Sequence, residues 1–261
     1  MHKQIYYDQM DVFPYQPISP WWMTMYISSA FGFFVQLNRF VRTENFKSNW
    51  MKENTLLSFV HALISSILIF VGVLRAPEMF DDPLSHSNHF NYALVAFSIG
   101  YFVYDFRDCL YNSTSSSLGI LFHHILVVLF LSHVLFYTRN LGYALYGLSI
   151  EVNSVFLHAR RLIRWYSPLT SSIKINQSIE QFVNIGNYLT FFIFRFGIVY
   201  VGLRALYTQR HRLHPIVHIF TVIISVGIGI LNVILFYRLL RNQRKRSEEH
   251  TSELQSLAYL V

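Results

Sequence analysis

Seven apolar stretches, each close to 20 residues long, follow one another along this chain of 261 residues. A helix needs about 20 apolar residues to cross the hydrocarbon core of a bilayer. The stretches are continuous rather than alternating, which favours helices over the strands of a membrane barrel. The sequence therefore predicts an all-α membrane protein, a multi-pass bundle of about seven transmembrane helices. The predicted spans are Trp21–Leu37, Thr55–Leu74, Asn91–Leu110, Leu118–Tyr137, Leu141–Ile163, Gly186–Leu206 and Val217–Tyr237.

Lysine and arginine residues are concentrated after predicted spans one, five and seven. Loops rich in these residues stay on the cytosolic side of a membrane. We therefore expect an N-terminus that is outside or lumenal and a C-terminus that is cytosolic. The formal net charge of +7 is then explained by topology. No nucleic-acid partner is expected, since no soluble basic face is visible.

The predicted domain organisation consists of one large domain with shorter segments before and after it. Residues 1–20 form an N-terminal tail, 21–37 the first transmembrane helix, 50–237 the main domain and 238–245 a basic cytosolic tail. Residues 246–256 read RSEEHTSELQS, which resembles the in-frame translation of a common sequencing-library adapter. We therefore expect 246–261 to be adapter-derived read-through rather than native sequence.

Two adjacent histidines, His123 and His124, lie inside the fourth apolar stretch. Ionisable side chains are costly in a bilayer and usually serve a function there. Counting about 1.5 Å of rise per residue from the span ends puts most of the intramembrane ionisable residues roughly 3–9 Å from the cytosolic surface. The exception is Glu151, which this estimate places about 18 Å deep. The residues expected in this polar layer are His61, Asp105, Asp108, His123, His124 and His158.

Helical spacing indicates which of these side chains can meet. Glu151, Ser154 and His158 share one side of the fifth span, as positions i, i+3 and i+7 do. His123 and His124 point about 100° apart. We therefore expect one histidine to face a cavity and the other a neighbouring helix.

Several chemical interpretations of the polar layer remain open at this stage. An imidazole beside a carboxylate can act as a general base or as a nucleophile, and the expected substrate in a membrane is an acyl chain with a polar head. Structural roles are the alternative: Arg195 as the counter-ion of Glu151, Asp105 paired with Arg107 or a tyrosine, and His61 as a helix–helix contact. No metal site is predicted, because adjacent histidines are poorly spaced for chelation from one helix. Transport is not favoured, because no inverted repeat is evident.

Three motifs in successive spans carry a family resemblance: SIGYFVYDFRD, LFHHILVV and LSIEVNSVFLHARRLI. Together they resemble the TLC domain (TRAM, LAG1 and CLN8 homology), with the likeness running from about Trp50 to Tyr237. The details are most similar to the branch of TLC-domain-containing proteins 1 and 2. That resemblance implies a plasma-membrane protein that regulates phospholipid acyl composition and hence membrane fluidity.

The ceramide synthases of the same family imply a second interpretation, an acyl-CoA-dependent acyltransferase. In those enzymes the histidine pair and two aspartates on the following helix lie in the active site; here Glu151 and Ser154 hold the aspartate positions, and the enzymes' homeobox-like insertion is absent. A third interpretation is a non-enzymatic lipid-binding or trafficking protein. The expected partners are membrane phospholipids or acyl-CoA, the latter as substrate and not as cofactor, and the sequence identifies no protein partner.

The resemblance and the polar layer together define a candidate site. We expect His123, His124 and Glu151 to be catalytic if the protein is an enzyme. The residues expected to contact the substrate are Asp105, Asp108, His61, Asn153, Ser154 and His158.

Overall fold

The structure, a computed structural model, describes residues 19–43, 50–84, 87–112, 118–138, 140–166 and 173–258. The side chains at 43, 80, 166, 173–177 and 245–258 lie outside this description. The predicted N-terminal tail therefore lies almost entirely outside the described residues, as do the side chains of the segment 246–261. The regular structure of the described part is helical throughout, which confirms the predicted all-α architecture.

Ten α-helices follow one another in the described part of the chain. They are α1 (Pro20–Thr43), α2 (Trp50–Arg75), α3 (Glu78–Asp81), α4 (His89–Asn112), α5 (Leu118–Tyr137), α6 (Leu141–Leu148), α7 (Glu151–Tyr166), α8 (Ile173–Thr190), α9 (Ile198–Thr208) and α10 (Pro215–Ala258).

Four helical segments within the described ranges are long and apolar enough to cross a membrane: Trp50–Arg75, Leu118–Tyr137, Ser178–Thr208 and Pro215–Arg244. Helices α1 and α4 have 24 residues each and are also long enough, but their sequences are more polar. Helix α4 buries much of that polarity inside the bundle, including Asn91, Ser98 and Asp105. The multi-pass architecture is thus confirmed, whereas the count of seven spans stays a prediction.

The predicted fifth span, Leu141–Ile163, is wrong as a single helix, because the chain forms α6 and α7 with a turn at residues 149–150. The Ser149 hydroxyl donates a hydrogen bond to the Leu145 carbonyl at 2.7 Å, a local bond that competes with helical hydrogen bonding and bends helices. The Ile150 amide accordingly bonds to the Gly147 carbonyl, three residues back. This tighter turn makes Glu151 the first residue of α7.

The sixth predicted span is part of one continuous helical run, but with a change of pitch. A π-helical segment, Phe191–Gly197, joins α8 to α9. π-Helical segments are rare in proteins, and those that occur often lie at functional sites. The segment carries Arg195 and turns it into the bundle, where the side chain is buried.

Ion pairs at the two ends of the bundle show which loops lie together. At one end, Arg42 Nε lies 3.0 Å from Glu53 Oε2, and an Arg42 terminal nitrogen lies 4.0 Å from Asp108 Oδ1. At the other end, the Arg212 guanidinium donates two hydrogen bonds to the Asp82 carboxylate, at 3.0 and 2.9 Å. Helices α2 and α4 therefore each run from one end of the bundle to the other.

Helix α4 lies at the centre of the polar half of the bundle, packed against α1, α2 and α5. Its contact with α1 depends on Gly100, because a Cβ there would lie only 2.6 Å from both Ala30 Cβ and the Ile27 carbonyl oxygen. Small residues allow membrane helices to approach closely in this way. The close approach of α1 to α4 holds the polar face of α4 against α2 and α5. The candidate site lies between these three helices, α2, α4 and α5.

Candidate functional site

A buried histidine–carboxylate pair joins α5 to α4. His124 Nε2 lies 3.3 Å from Asp105 Oδ2, and both side chains are only 6% exposed. The second carboxylate oxygen of Asp105 accepts a hydrogen bond from Asn54 Nδ2 at 2.5 Å. Among the described residues no partner is present for His124 Nδ1, which is also buried. The imidazole is thus oriented through one nitrogen only, as a base held by a carboxylate would be.

One turn further along α4, Asp108 extends this network toward the end of the bundle. Its carboxylate accepts hydrogen bonds from Trp50 Nε1 at 2.7 Å and from Asn54 Nδ2 at 3.3 Å. A single α2 amide therefore bridges the two aspartates, which are three residues apart on one face of α4.

His61 on α2 is fixed by three contacts inside the bundle. Its ring is stacked on that of Tyr101, with centroids 3.8 Å apart and planes 10° apart. Its Nε2 is hydrogen-bonded to Ser65 Oγ at 3.0 Å, and its Nδ1 lies 4.0 Å from Glu151 Oε2. The contact with Glu151 brings this carboxylate to the His61 side chain, although the depth estimate separates the two residues by roughly 9 Å.

His123 points away from His124 and lines an apolar cavity together with Glu151. The cavity has a volume of about 80 Å³. Its walls come from α4, α5, α6, α7, α9 and α10, and include Phe102, Val127, Leu131, Tyr146, Ile198, Ile224 and Ile228. The two histidines thus face different surroundings, one a cavity and the other a neighbouring helix, as their spacing predicts.

Arg195 organises a second buried network beside Glu151. Its guanidinium donates to Asn153 Oδ1 at 2.5 Å, Asn232 Oδ1 at 2.9 Å and Ser154 Oγ at 3.1 Å. No carboxylate lies within ion-pair distance of Arg195 in the described part of the chain. Arg195 therefore forms no direct ion pair with Glu151, because neutral amide and hydroxyl oxygens occupy its donors, and it attracts this carboxylate only over a longer distance.

The residues predicted to contact the substrate differ in how many hydrogen bonds they already form within the protein. Asn153 is fully buried and, besides accepting from Arg195, donates to the Asn187 carbonyl and to Thr190 Oγ1 at 2.9 and 3.0 Å. Ser154 is likewise engaged with Arg195. His158 lies on α7 about 10 Å along the helix from Glu151, and its buried Nδ1 has no hydrogen-bond partner among the described residues. The structure thus brings His61, Asp105, His123, His124 and Glu151 together. It places His158 about two helical turns along α7 from Glu151.

The sequence predictions lack several partners in the two networks: Asn54, Trp50, Tyr101 as the partner of His61, Asn187, Thr190 and Asn232. Asn54 carried a usable signal, because it precedes Ser58, His61 and Ser65 at helical spacing and so lies on the same face of α2. Nothing in the sequence indicated the role of Trp50, since a tryptophan at a span end is ordinarily an interface anchor.

The arrangement has the elements of acyl-transfer chemistry. The His124 imidazole is held by the Asp105 carboxylate, and His123 and Glu151 are ionisable groups in the wall of a largely apolar cavity. A substrate with an apolar chain and a reactive head would match this combination.

Comparison with known proteins identifies the family of this chain. The family model of the TLC domain (TRAM, LAG1 and CLN8 homology) matches residues 52–241. TLC domain-containing protein 2 of Danio rerio is 33% identical over 224 residues, which cover 82% of this chain and 87% of the relative.

Two human relatives have lower identity to the chain. Human TLC domain-containing protein 2 is 28% identical over 78% of this chain and 75% of its own length. Human TLC domain-containing protein 1 is 26% identical over 74% of this chain and 75% of its own length. No solved structure matches the chain.

Proposed function

Because this chain belongs to the TLC domain family of membrane proteins, which is linked to lipid metabolism, we propose that it regulates the acyl composition of membrane phospholipids and thereby membrane fluidity. The observation that carries the proposal is the shared cavity of His123 and Glu151 beside the His124–Asp105 pair. An acyl chain would occupy the apolar walls, and its polar head would contact the histidines and carboxylates.

The cavity must enlarge for this function. Its volume of about 80 Å³ is well below the roughly 300–1,000 Å³ of ligand sites. Two of its walls are α9 and α10, which carry apolar side chains on the cavity side. We infer that the acyl chain separates these helices from α5 as it enters, and that the π-helical segment before α9 accommodates the movement.

Acyl transfer from acyl-CoA is the second candidate function, and the His124–Asp105 geometry favours it. In such a reaction an imidazole removes a proton from the acceptor amine or hydroxyl, the acceptor attacks the thioester carbonyl, and the CoA thiolate leaves. The Ser154 position weighs against ceramide synthesis, since this hydroxyl accepts a hydrogen bond from Arg195 and supplies no carboxylate. A lipid-binding or trafficking role without chemistry uses the same cavity and is the third candidate.

The discriminating experiment uses the purified full chain in nanodiscs. Wild type and the double variant His123→Ala/His124→Ala receive radiolabelled acyl-CoA with a panel of amine and lysophospholipid acceptors. His133→Ala is the matched control, because His133 lies on the same helix but contacts Tyr137 and Phe220 instead of the site. Product formed by wild type and the control but not by the double variant establishes catalysis.

Cells that express the same three proteins test regulation. We expect phospholipid acyl chains to change with wild type and His133→Ala and to revert with the double variant. If the double variant folds and alters the lipids as wild type does, the histidines are structural and the proposed site is wrong. Ser225→Phe provides an independent check, since Ser225 lines the cavity and a larger side chain there should block the acyl chain while His123, His124, Asp105 and Glu151 stay unchanged.

The proposal extends to location, with the protein in the plasma membrane, its N-terminus outside and its C-terminus cytosolic. The grouping of Arg39, Arg42 and Arg107 at the end of the bundle opposite Asp82 supports this orientation. Surface biotinylation of intact cells tests the location.

A further inference from the structure

A second cavity lies at the end of the bundle where Arg42 contacts Glu53 and Asp108. It is an open cleft of about 350 Å³ between α1 and α4. We call it the arginine cleft and define it by its lining: Val35, Asn38, Arg39, Arg42, Tyr104, Arg107, Asp108, Tyr111 and Asn112. Four of these nine residues belong to α1, which precedes the matched TLC domain at residues 52–241.

Positive charge exceeds negative charge in the arginine cleft. Three guanidinium groups, those of Arg39, Arg42 and Arg107, face one carboxylate, that of Asp108. Arg42 is engaged by Glu53 at 3.0 Å. For Arg39 and Arg107 no carboxylate partner exists among the residues described.

Aromatic rings hold Arg107 in position. Its guanidinium carbon lies 6.0 Å from the centroid of the Phe31 ring and 5.8 Å from that of Tyr111. Among the described residues Arg107 donates no hydrogen bond and forms no ion pair. Its N–H groups are therefore available to an anion, and the ring contacts already restrict the side chain.

The donors of the arginine cleft match a phosphate group. Guanidinium groups bind phosphate oxygens through paired, charge-assisted hydrogen bonds, and Asn38, Tyr104 and Tyr111 add amide and hydroxyl donors. The volume of about 350 Å³ falls in the range of small-ligand sites and exceeds what one phosphate needs. Arginines that only set membrane topology need no such convergence of two helices on one cleft; Arg241, exposed on α10, is of that simpler kind.

We propose that the arginine cleft binds the phosphate group of an anionic lipid or of coenzyme A. Asp108 lines this cleft and shares Asn54 with Asp105, so a ligand bound there would lie one helical turn from the His124–Asp105 pair. The identification of the ligand as a lipid or an acyl carrier rests on the proposed function. The phosphate recognition itself rests on the geometry of the cleft.

The test uses the full chain in phosphatidylcholine nanodiscs with two probes. One is coenzyme A added in solution, and the other is phosphatidic acid incorporated in the nanodisc and detected by native mass spectrometry. The variants are Arg39→Gln/Arg107→Gln and, as the matched control, Arg241→Gln. We expect at least one probe to bind wild type and the control, and to bind the double variant about tenfold more weakly.

The outcomes separate the two sources of phosphate and the two proposals. Binding of coenzyme A alone assigns the arginine cleft to an acyl carrier, and binding of phosphatidic acid alone assigns it to a lipid headgroup. Equal binding by wild type and Arg39→Gln/Arg107→Gln, or equal weakening by Arg241→Gln, overturns the site. The variant His123→Ala/His124→Ala should retain probe binding, so that a failure of the proposed function would leave the result for the cleft intact.

Discussion

The imidazole of His61 lies flat on the phenol ring of Tyr101, with centroids 3.8 Å apart and planes 10° apart. Both residues are buried at the centre of the bundle. The stack restricts rotation of the imidazole, so that Nδ1 stays toward Glu151 and Nε2 toward Ser65. Tyr101 thus positions His61, and through it one side of Glu151.

This relationship predicts that the ring of Tyr101 matters more than its hydroxyl for stability. Tyr101→Leu removes the stacked pair, which is worth about 0.5–1.5 kcal/mol beyond its buried area, and should lower the unfolding temperature in detergent. Tyr101→Phe keeps the ring and should unfold closer to wild type. Thermal unfolding followed by size-exclusion chromatography measures both, and a Phe variant as unstable as the Leu variant would refute the role of stacking.

Arg195 is expected to be the least replaceable polar residue of the bundle. Arg195→Met leaves Asn153 Oδ1 and Asn232 Oδ1 without their donor, and each unsatisfied buried group costs about 1–3 kcal/mol. Arg195→Lys keeps the charge but cannot reproduce the planar fork that reaches three acceptors on two helices. We expect stability to decrease from wild type to Arg195→Lys and further to Arg195→Met. The measurement is the folded yield in detergent at increasing temperature. Equal stability of the Met variant and wild type would show that the network contributes nothing.

The polar layer could be predicted from the sequence because its physical basis is local. Charged residues in an apolar stretch stand out, and helical spacing assigns them to faces. This reasoning led to the separate surroundings of His123 and His124 and to the grouping of His61 with Asp105. It also identified the all-α architecture, since continuous apolar stretches have few other solutions in a membrane.

What the sequence could not show depends on contacts between distant segments. The break before Glu151 arises from a hydroxyl–carbonyl bond at Ser149 that the apolar pattern does not reveal. The partners of Arg195 come from α7 and α10, and nothing in local spacing selects them over Glu151. The arginine cleft is hidden for the same reason, because Arg39 and Arg107 are 68 positions apart in the chain and meet only when α1 packs on α4.

The packing of α1 on α4 should depend on Gly100. An added Cβ would lie 2.6 Å from the Ile27 carbonyl oxygen and from Ala30 Cβ, so Gly100→Ala should force the helices apart at a cost of about 1–3 kcal/mol. Gly32→Ala on α1 is the matched control, since nothing lies within 4 Å of its added Cβ. The unfolding temperature should fall for the first variant and not for the second. A loss of phosphate-probe binding in Gly100→Ala alone would further link α1 docking to the arginine cleft.

The orientation of the bundle can be tested because the chain has one cysteine, Cys109, which is 2% exposed. A membrane-impermeant maleimide should therefore report only on introduced cysteines. Glu78 and Arg241 are both exposed, and the predicted topology places them on opposite sides of the membrane. We expect Glu78→Cys to be labelled in intact cells, and Arg241→Cys only after the plasma membrane is permeabilised. If the protein lay in an internal membrane with the same orientation, neither variant would be labelled in intact cells, and selective permeabilisation of the plasma membrane would expose Arg241→Cys alone. Labelling of Arg241→Cys in intact cells would reverse the proposed topology.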